Sequence, residues 1–173
     1  MWRRLKRVLK HRWLDDSAQR RGIPPDLVER LMQRVAASES RHSGEIRIVV
    51  ESSLPSSYLW RNATIQQLTR QRALTLFGKL RVWDTEHNNG VLIYLLLAEH
   101  LIEIVADRGL NQHVPPAHWQ AVLAQMRSAF QQGAYEDGLT HALQEASAVL
   151  VQFFPLQEGE SGRNELPDTP LID

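Results

Sequence analysis

The sequence predicts an α/β protein, a three-layer α/β/α sandwich in which helices flank a small mixed sheet of three to four strands. Two observations predict this class. Short apolar segments rich in β-branched residues alternate with longer segments whose apolar residues recur at helical spacing. Residues 91–97 are apolar at almost every position, which is typical of a strand whose sheet is covered by helices on both faces.

The elements follow in the order helix, strand, helix, strand, strand, helix, helix. The first two strands should be parallel, and the third returns through the short turn Glu99-His100 as an antiparallel hairpin. On the first strand, Glu45 and Arg47 alternate outward and are expected at the surface. The predicted elements are helix 25–40, strand 45–51, helix 64–80, strand 91–97, strand 101–105, helix 115–133 and helix 135–154.

The composition excludes several classes of function. The chain has 20 Lys and Arg against 20 Asp and Glu, so no overall field draws it onto nucleic acid, and no nucleic-acid partner is expected. Cysteine is absent, which excludes disulfides, thiolate metal sites and cysteine nucleophiles.

The sequence has no glycine-rich phosphate loop, no His-Glu-x-x-His run and no nucleophile-elbow serine, so no catalytic residue is assigned. Its seven histidines share no metal-ligand spacing, and we expect them to be exposed or capping.

The chain divides into a basic N-terminal segment (1–22), one globular domain (23–156) and an acidic tail (157–173). The tail has few large apolar side chains, and we expect it to be disordered. The longest apolar run, residues 91–98, is much shorter than a membrane-spanning helix, and no apolar signal sequence follows the basic start. We therefore expect a cytoplasmic protein.

The N-terminal segment is amphipathic if it is helical. Trp2, Leu5, Leu9 and Trp13 recur at spacings of three and four, while basic residues lie off this stripe. Two interpretations stay open. The helix packs its stripe on the domain or on a second subunit, or it docks on a membrane surface or protein partner, which would place the protein peripherally at the inner membrane.

The loop before the apolar strand 91–97 is the strongest candidate site. Asp84, Glu86, Asn88 and Asn89 place four oxygen-bearing side chains within six residues. Such hard donors suit Ca²⁺ or Mg²⁺, so the predicted cofactor is a divalent cation. The alternative is a simple turn before a strand, because Asp and Asn-Gly favour turns.

Hairpin geometry adds Asp107 to this loop. Asp107 follows the second hairpin strand, so antiparallel pairing should return it to the neighbourhood of Asn89-Gly90, where the first hairpin strand begins. Two polar loops at one sheet edge predict a metal site better than either loop alone. The alternative for Asp107 is an ion pair or a helix cap.

Sheets of this kind give a separate expectation about where a ligand binds. Their ligands usually bind beyond the carboxyl ends of the parallel strands.

Four segments together form a recognisable pattern. They are Ser43-Gly44-Glu45-Ile46, Arg72-Ala73-Leu74-Thr75-Leu76-Phe77, Asn89-Gly90-Val91-Leu92-Ile93-Tyr94 and Ile104-Val105-Ala106-Asp107-Arg108-Gly109. On these segments the chain resembles the TPM domain family, which includes thylakoid-lumen acid-phosphatase-like proteins of photosystem II repair and many uncharacterised bacterial proteins. The resemblance covers about residues 25–155. It implies an α/β/α sandwich and, for some members, divalent-cation binding by acidic loops with a weak phosphatase activity; by motif position it points first to Asp84 and Asn89.

The leading hypothesis is a soluble TPM-like domain that binds a divalent cation through the 84–89 loop and Asp107. If such a protein hydrolyses phosphate esters, the metal would polarise the phosphoryl oxygen and Arg108 would stabilise the developing charge. The rival hypothesis is a non-catalytic interaction module that docks through residues 1–22. The segment Asp107-Arg108-Gly109 departs from the Gly-x-Gly turn that exported family members usually carry after the hairpin.

Overall fold

The computed structural model describes residues 7–11, 23–156 and 164–173. Each predicted helix and strand is present, with ends within two residues of the expected ones. From residue 23 onward the helices are α1 (Pro25–Glu39), α2 (Ser56–Leu59), α3 (Ile65–Lys79), α4 (Arg108–Asn111), α5 (Pro116–Gln131) and α6 (Tyr135–Phe153), with a 3₁₀ turn at Leu97–Glu99. The strands are β1 (Ile46–Glu51), β2 (Val91–Leu96), β3 (Leu101–Ala106) and β4 (Leu171–Ile172).

The four strands form one mixed sheet in the order β3-β2-β1-β4. β1 runs parallel to β2, with Ile46 opposite Val91, and β2 pairs antiparallel with β3, with Val91 opposite Ala106. The hairpin turn closes at His100, which adopts a left-handed conformation (φ 52°). The parallel pair and the hairpin are therefore arranged as the sequence predicts.

Helices cover both faces of the sheet. On one face Ile46, Ile48 and Val50 of β1 pack into a core cluster with apolar residues of α1, α5 and α6. On the other face Val49 of β1 packs into a second cluster with residues of α2 and α3. Every residue of β1 and β2 is buried, as expected for strands between two helical layers. The three-layer prediction is confirmed.

The ends of α3 and α1 follow from local sequence. Thr64 and Gln67 form a reciprocal capping box, in which each side chain accepts a hydrogen bond from the other's backbone N–H. Proline in the first turn opens α1, as it does α5, because its missing N–H would be unpaired there anyway. These helices are therefore positioned over the sheet by signals that the sequence carries.

Residues 164–173 differ from the disorder expected of the tail. They lie along β1, and Leu171 and Ile172 pair with Val49 and Val50 as the parallel edge strand β4. An extended segment of few apolar residues is ordered here because the β1 edge satisfies its backbone polar groups.

Part of the N-terminal segment packs on the domain. Residues 7–11 are helical, and Arg7 donates hydrogen bonds to the carbonyl oxygens of Leu59 and Ala63, the latter at 3.0 Å. Lys10 forms an ion pair of 2.6 Å with Glu99. Leu9 is 48% exposed, so the one described member of the predicted apolar stripe does not pack on the domain. Trp2, Leu5 and Trp13 lie outside the described residues.

The described part of the chain contains no helix with both the length and the apolar character that crossing a membrane requires.

Candidate functional site

The 84–89 loop and Asp107 lie at the same edge of the sheet, where β2 begins and β3 ends. The backbone N–H of Asp107 donates to the carbonyl oxygen of Gly90 at 2.9 Å, which continues the hairpin ladder by one step. This edge is the amino end of the parallel strands. The hairpin argument from the sequence therefore gives the correct location for Asp107.

Close backbone packing shapes the loop. The backbone N–H of Asn89 donates to Thr85 Oγ1 at 3.0 Å, and Asn88 takes a left-handed conformation (φ 52°). The N–H of Gly109 then donates to the carbonyl oxygen of Asn88 at 2.8 Å. A Cβ atom on Gly109 would lie 2.6 Å from that same oxygen. The two loops are therefore in direct backbone contact.

Two buried side-chain oxygens at this edge have no hydrogen-bond partner. They are Oδ1 of Asn89, a residue with 0% exposure, and Oδ2 of Asp107, a residue with 8%. The other ends of these side chains are held, because Asn89 Nδ2 donates to Ser43 Oγ at 3.3 Å and Asp107 Oδ1 accepts from the N–H of Arg108 at 2.7 Å. Across the described residues only four buried side-chain polar atoms are unpaired, so finding two here is a strong local signal.

Burial also changes the protonation of Asp107. Removal from water raises the pKa of its carboxyl group, and the N–H and positive charge of Arg108 only partly oppose this shift. A nearby cation would offset the desolvation of the carboxylate. Asp107 is also the N-cap of α4, so one of the two alternatives left open for it, a helix cap, holds for its Oδ1 atom.

Arginine side chains bind two of the other three predicted ligands. Asp84 is exposed and accepts from Arg81 at 2.5 Å, while Oδ1 of Asn88 accepts from Nε and Nη2 of Arg108 at 2.8 and 2.6 Å. Glu86 is exposed. Within the described ranges, no three His, Asp or Glu side chains converge as a metal-binding group. Asn89 and Asp107 therefore fit a cation by the chemistry of their free oxygens, whereas Asp84 and Asn88 are held by arginines.

The opposite edge of the sheet, beyond the carboxyl ends of β1 and β2, is where the general rule for such sheets predicts a ligand. The chain itself covers that edge. His11 Nδ1 accepts from the N–H of Leu54 at 3.1 Å, its Nε2 lies 3.0 Å from a Glu99 carboxylate oxygen, and the N–H of Ser52 donates to the carbonyl of Asp173 at 2.8 Å. Residues near both ends of the described chain, His11 and Asp173, therefore occupy part of the edge where a ligand was expected.

Four polar residues expected at the surface are buried. His11 and His42 are 3% and 1% exposed, and Glu45 and Arg47 are 2% and 9% exposed. His42 bonds to Ser38 Oγ at 2.8 Å and to the carbonyl of Gly44 at 3.0 Å, and burial lowers its pKa to about 4. Glu45 and Arg47 are buried because the tail covers them. No local pattern announces this, because the tail lies more than a hundred residues further along the chain.

The sequence interpretation also missed a buried polar cluster on the α3 side of the sheet. The Glu51 carboxylate accepts from Arg72 Nε, which lies 3.0 and 2.9 Å from its two oxygens, and from Arg72 Nη2, and it also accepts from the Tyr94 hydroxyl at 2.8 Å. Bonding to Glu51 raises the pKa of Arg72, and burial raises that of Tyr94. All three side chains are partnered, so this cluster serves to join β1, β2 and α3.

These features define a three-layer α/β/α domain with two polar loops in contact at one sheet edge. The chain belongs to the TPM domain family, whose sequence model matches residues 19–149. The resemblance inferred from the sequence is thereby confirmed.

Two solved structures share this fold. The BA42 protein from the psychrophilic bacterium Bizionia argentinensis is 24% identical, with a TM-score of 0.72 over 87% of this chain and 95% of that one. The N-terminal domain of a protein from P. gingivalis is 23% identical, with a TM-score of 0.57 over 79% of this chain and 84% of that domain. At these identities the likeness shows the fold alone. None of the curated proteins matches the sequence significantly.

Proposed function

We propose that the domain binds a divalent cation, Ca²⁺ or Mg²⁺, at the edge formed by the 84–89 loop and Asp107. The observation that carries the proposal is the unpaired, buried Asp107 Oδ2, accompanied by the unpaired Oδ1 of Asn89. An unpaired buried carboxylate oxygen is costly, and coordination of a cation removes that cost. Water would supply the remaining ligands, as it commonly does for Mg²⁺. Glu86, an exposed carboxylate three residues before Asn89 in the same loop, is the further protein ligand that the proposal includes.

The experiment is calorimetric titration of the full chain with Ca²⁺ and with Mg²⁺, alongside thermal unfolding with and without each ion. Asp107→Asn keeps the shape of the side chain and removes its charge, so binding heat and ion-dependent stabilisation should both be lost. The matched control is Asp137→Asn, the same change at an exposed residue of α6, which should bind as the wild type does. Identical titrations of wild type and Asp107→Asn would sink the proposal.

A weak phosphatase activity is the chemical extension of this proposal. A bound divalent cation supplies polarisation of a phosphoryl oxygen. Arg108 is exposed, and its guanidinium lies against Asn88 at this edge, so it can bind the anionic ester. Hydrolysis of p-nitrophenyl phosphate should then require added cation and fall at least tenfold in both Asp107→Asn and Arg108→Ala. Cation-independent hydrolysis would contradict the extension while leaving cation binding unaffected.

One observation favours docking through the N-terminal segment as a second candidate function. Arg7 and Lys10 bond to the domain, whereas Leu9 is exposed. This orientation leaves Leu9, the described member of the apolar stripe, available to a membrane surface. Sedimentation of the full chain with anionic liposomes should fall on Leu9→Gln and not on Leu74→Gln, a control of nearly equal exposure (49%) on α3. Absence of sedimentation by the wild type removes this candidate.

A further inference from the structure

The edge of β1 that does not pair with β2 is occupied by residues 164–173, which we call the tail segment. Two buried charged side chains at the beginning of β1 bond to its main chain. The Glu45 carboxylate accepts from the N–H groups of Glu165 and Leu166 at 3.0 and 3.2 Å. Arg47 Nη1 donates to the carbonyl oxygens of Pro167 and, at 2.6 Å, Thr169.

Strand pairing continues these contacts to the chain end. Leu171 and Ile172 lie opposite Val49 and Val50. The N–H of Asp173 donates to the carbonyl of Val50 at 2.9 Å, and the carbonyl of Asp173 accepts from the N–H of Ser52 at 2.8 Å. From Glu45 to Ser52, β1 therefore binds the backbone of an extended segment, which is how sheets bind peptides by strand addition.

Side chains of the tail segment add fewer contacts than its backbone. Leu166 packs against the core cluster on the α3 side, and Thr169 Oγ1 bonds to Met32 Sδ at 3.3 Å. Ile172 lines a shallow groove with Ile23 and Val28. These contacts define positions for apolar side chains along a backbone-binding site, as in other strand-addition complexes.

Two prolines lower the cost of binding the segment. Pro167 and Pro170 have fixed φ angles, so the unbound segment already favours an extended conformation. Pro167 also binds Arg47 through its carbonyl oxygen and is not required as a donor. A segment that is extended beforehand loses less conformational entropy on binding.

We propose that the edge of β1 is a peptide-binding site, occupied in cis by residues 164–173 and able to take the same segment of a second copy in trans. The contacts described above are non-covalent and are made by the segment itself, so they do not depend on which chain supplies it. The buried charges of Glu45 and Arg47 favour an occupied site, because removal of the segment takes away the main-chain groups that bind them.

The test uses the full chain with a specific protease site placed within residues 157–163. After folding and cleavage, the released fragment should stay with the domain through gel filtration. A fluorescent synthetic peptide of residues 164–173 should then exchange into the site and show saturable anisotropy. Loss of the fragment without peptide binding, by a domain whose circular dichroism is unchanged, overturns the proposal. So does a fragment that never exchanges with excess peptide.

Matched variants separate this site from non-specific adhesion. A peptide N-methylated at Leu166 lacks the N–H that Glu45 accepts, and it should bind at least about tenfold more weakly than a peptide N-methylated at Asn164. On the protein, Arg47→Ala should weaken binding similarly, whereas Arg127→Ala at an exposed position of α5 should not. The peptide pair keeps the test decisive if Arg47→Ala fails to fold, and equal affinities of the two methylated peptides contradict the proposed contacts.

Discussion

At the scale of single residues, Gly90 allows the backbone of Val82, which precedes the 84–89 loop, to pack against the start of β2. A Cβ atom at this position would lie 1.9 Å from the carbonyl oxygen of Val82, far inside any real contact distance. That neighbour is backbone, so it cannot move aside as a flexible side chain would. The close approach explains why glycine stands between Asn89 and the first residue of β2.

Gly90→Ala should lower the free energy of unfolding by about 1–3 kcal/mol, because the Val82 backbone and the start of β2 must separate to admit the methyl group. Gly78→Ala is the matched control. Gly78 lies in α3 with no atom within 4 Å of an added Cβ, so alanine there should raise stability by about 0.5–1 kcal/mol through its helix propensity. Urea unfolding of both variants measures the difference. A Gly90→Ala variant that is as stable as the wild type, or more stable, would contradict the packing described at Gly90.

At the scale of elements, Glu39 joins the end of α1 to the start of β1. Its Oε1 accepts from the N–H of Ile46 at 2.9 Å. Burial raises its pKa to about 8, and the negative charges of Glu45 and Asp168 act in the same direction. Glu45 lies just before β1 and Asp168 belongs to the tail segment, so the pKa of this carboxyl group depends on charges from two other parts of the chain.

The raised pKa predicts how stability depends on pH. The folded state holds the Glu39 proton up to about pH 8, whereas the unfolded chain releases it near 4.5. This contribution to stability is therefore complete below pH 4.5 and is lost as the pH rises to about 8, with a slope of at most about 1.4 kcal/mol per pH unit. Glu39→Gln should flatten the curve of unfolding free energy against pH in this range. Glu29→Gln, at an exposed position of the same helix, should leave the slope as it is.

The elements that the sequence predicted well are those specified by local periodicity. Leu27, Leu31 and Val35 mark the buried face of α1, and the unbroken apolar run marks β2, because each pattern reflects contacts of that segment alone. Glu45 and Arg47 follow the same alternation on β1, yet their partners lie about 120 residues away in the tail. Alternation on a strand predicts that an outward-facing charged residue is exposed to solvent, unless the segment that covers it is known.

The candidate site was likewise predictable only in part, in its location but not in the hydrogen bonds of its side chains. Hairpin register placed Asp107 beside the loop correctly, because antiparallel pairing converts a sequence distance into a position. Hairpin register could not predict which of these side-chain oxygens are already hydrogen-bonded. Asp84 and Asn88 are bound by Arg81 and Arg108, and local composition does not distinguish such a bound oxygen from a free one.

At the scale of the whole molecule, both ends of the described chain close the same edge of the sheet. His11 bonds to the backbone after β1 and to Glu99 after β2, while Asp173 bonds to Ser52. The neutral His11 ring can satisfy both partners only with its proton on Nε2, since Nδ1 accepts a hydrogen bond. Residues 7–11 are thus part of the folded unit.

His11→Ala should lower the free energy of unfolding by about 1–3 kcal/mol, because it leaves the buried N–H of Leu54 without an acceptor. His87→Ala changes an exposed histidine and should have an effect of less than about 0.5 kcal/mol. Thermal or urea unfolding of the full chain compares the two. A His11→Ala variant as stable as wild type would show that the His11 hydrogen bonds contribute nothing to stability.

The short β4 strand has a consequence for solubility. With a formal net charge of zero, the protein lacks the charge repulsion that keeps many proteins apart. A sheet edge with a long row of free N–H groups would then invite further strands to add without limit. β4 is two residues long and directly follows Pro170, which has no N–H to offer. On this side the described sheet therefore ends in a short strand preceded by a residue without an N–H, which gives an approaching chain fewer groups to pair with than the bare edge of β1 would.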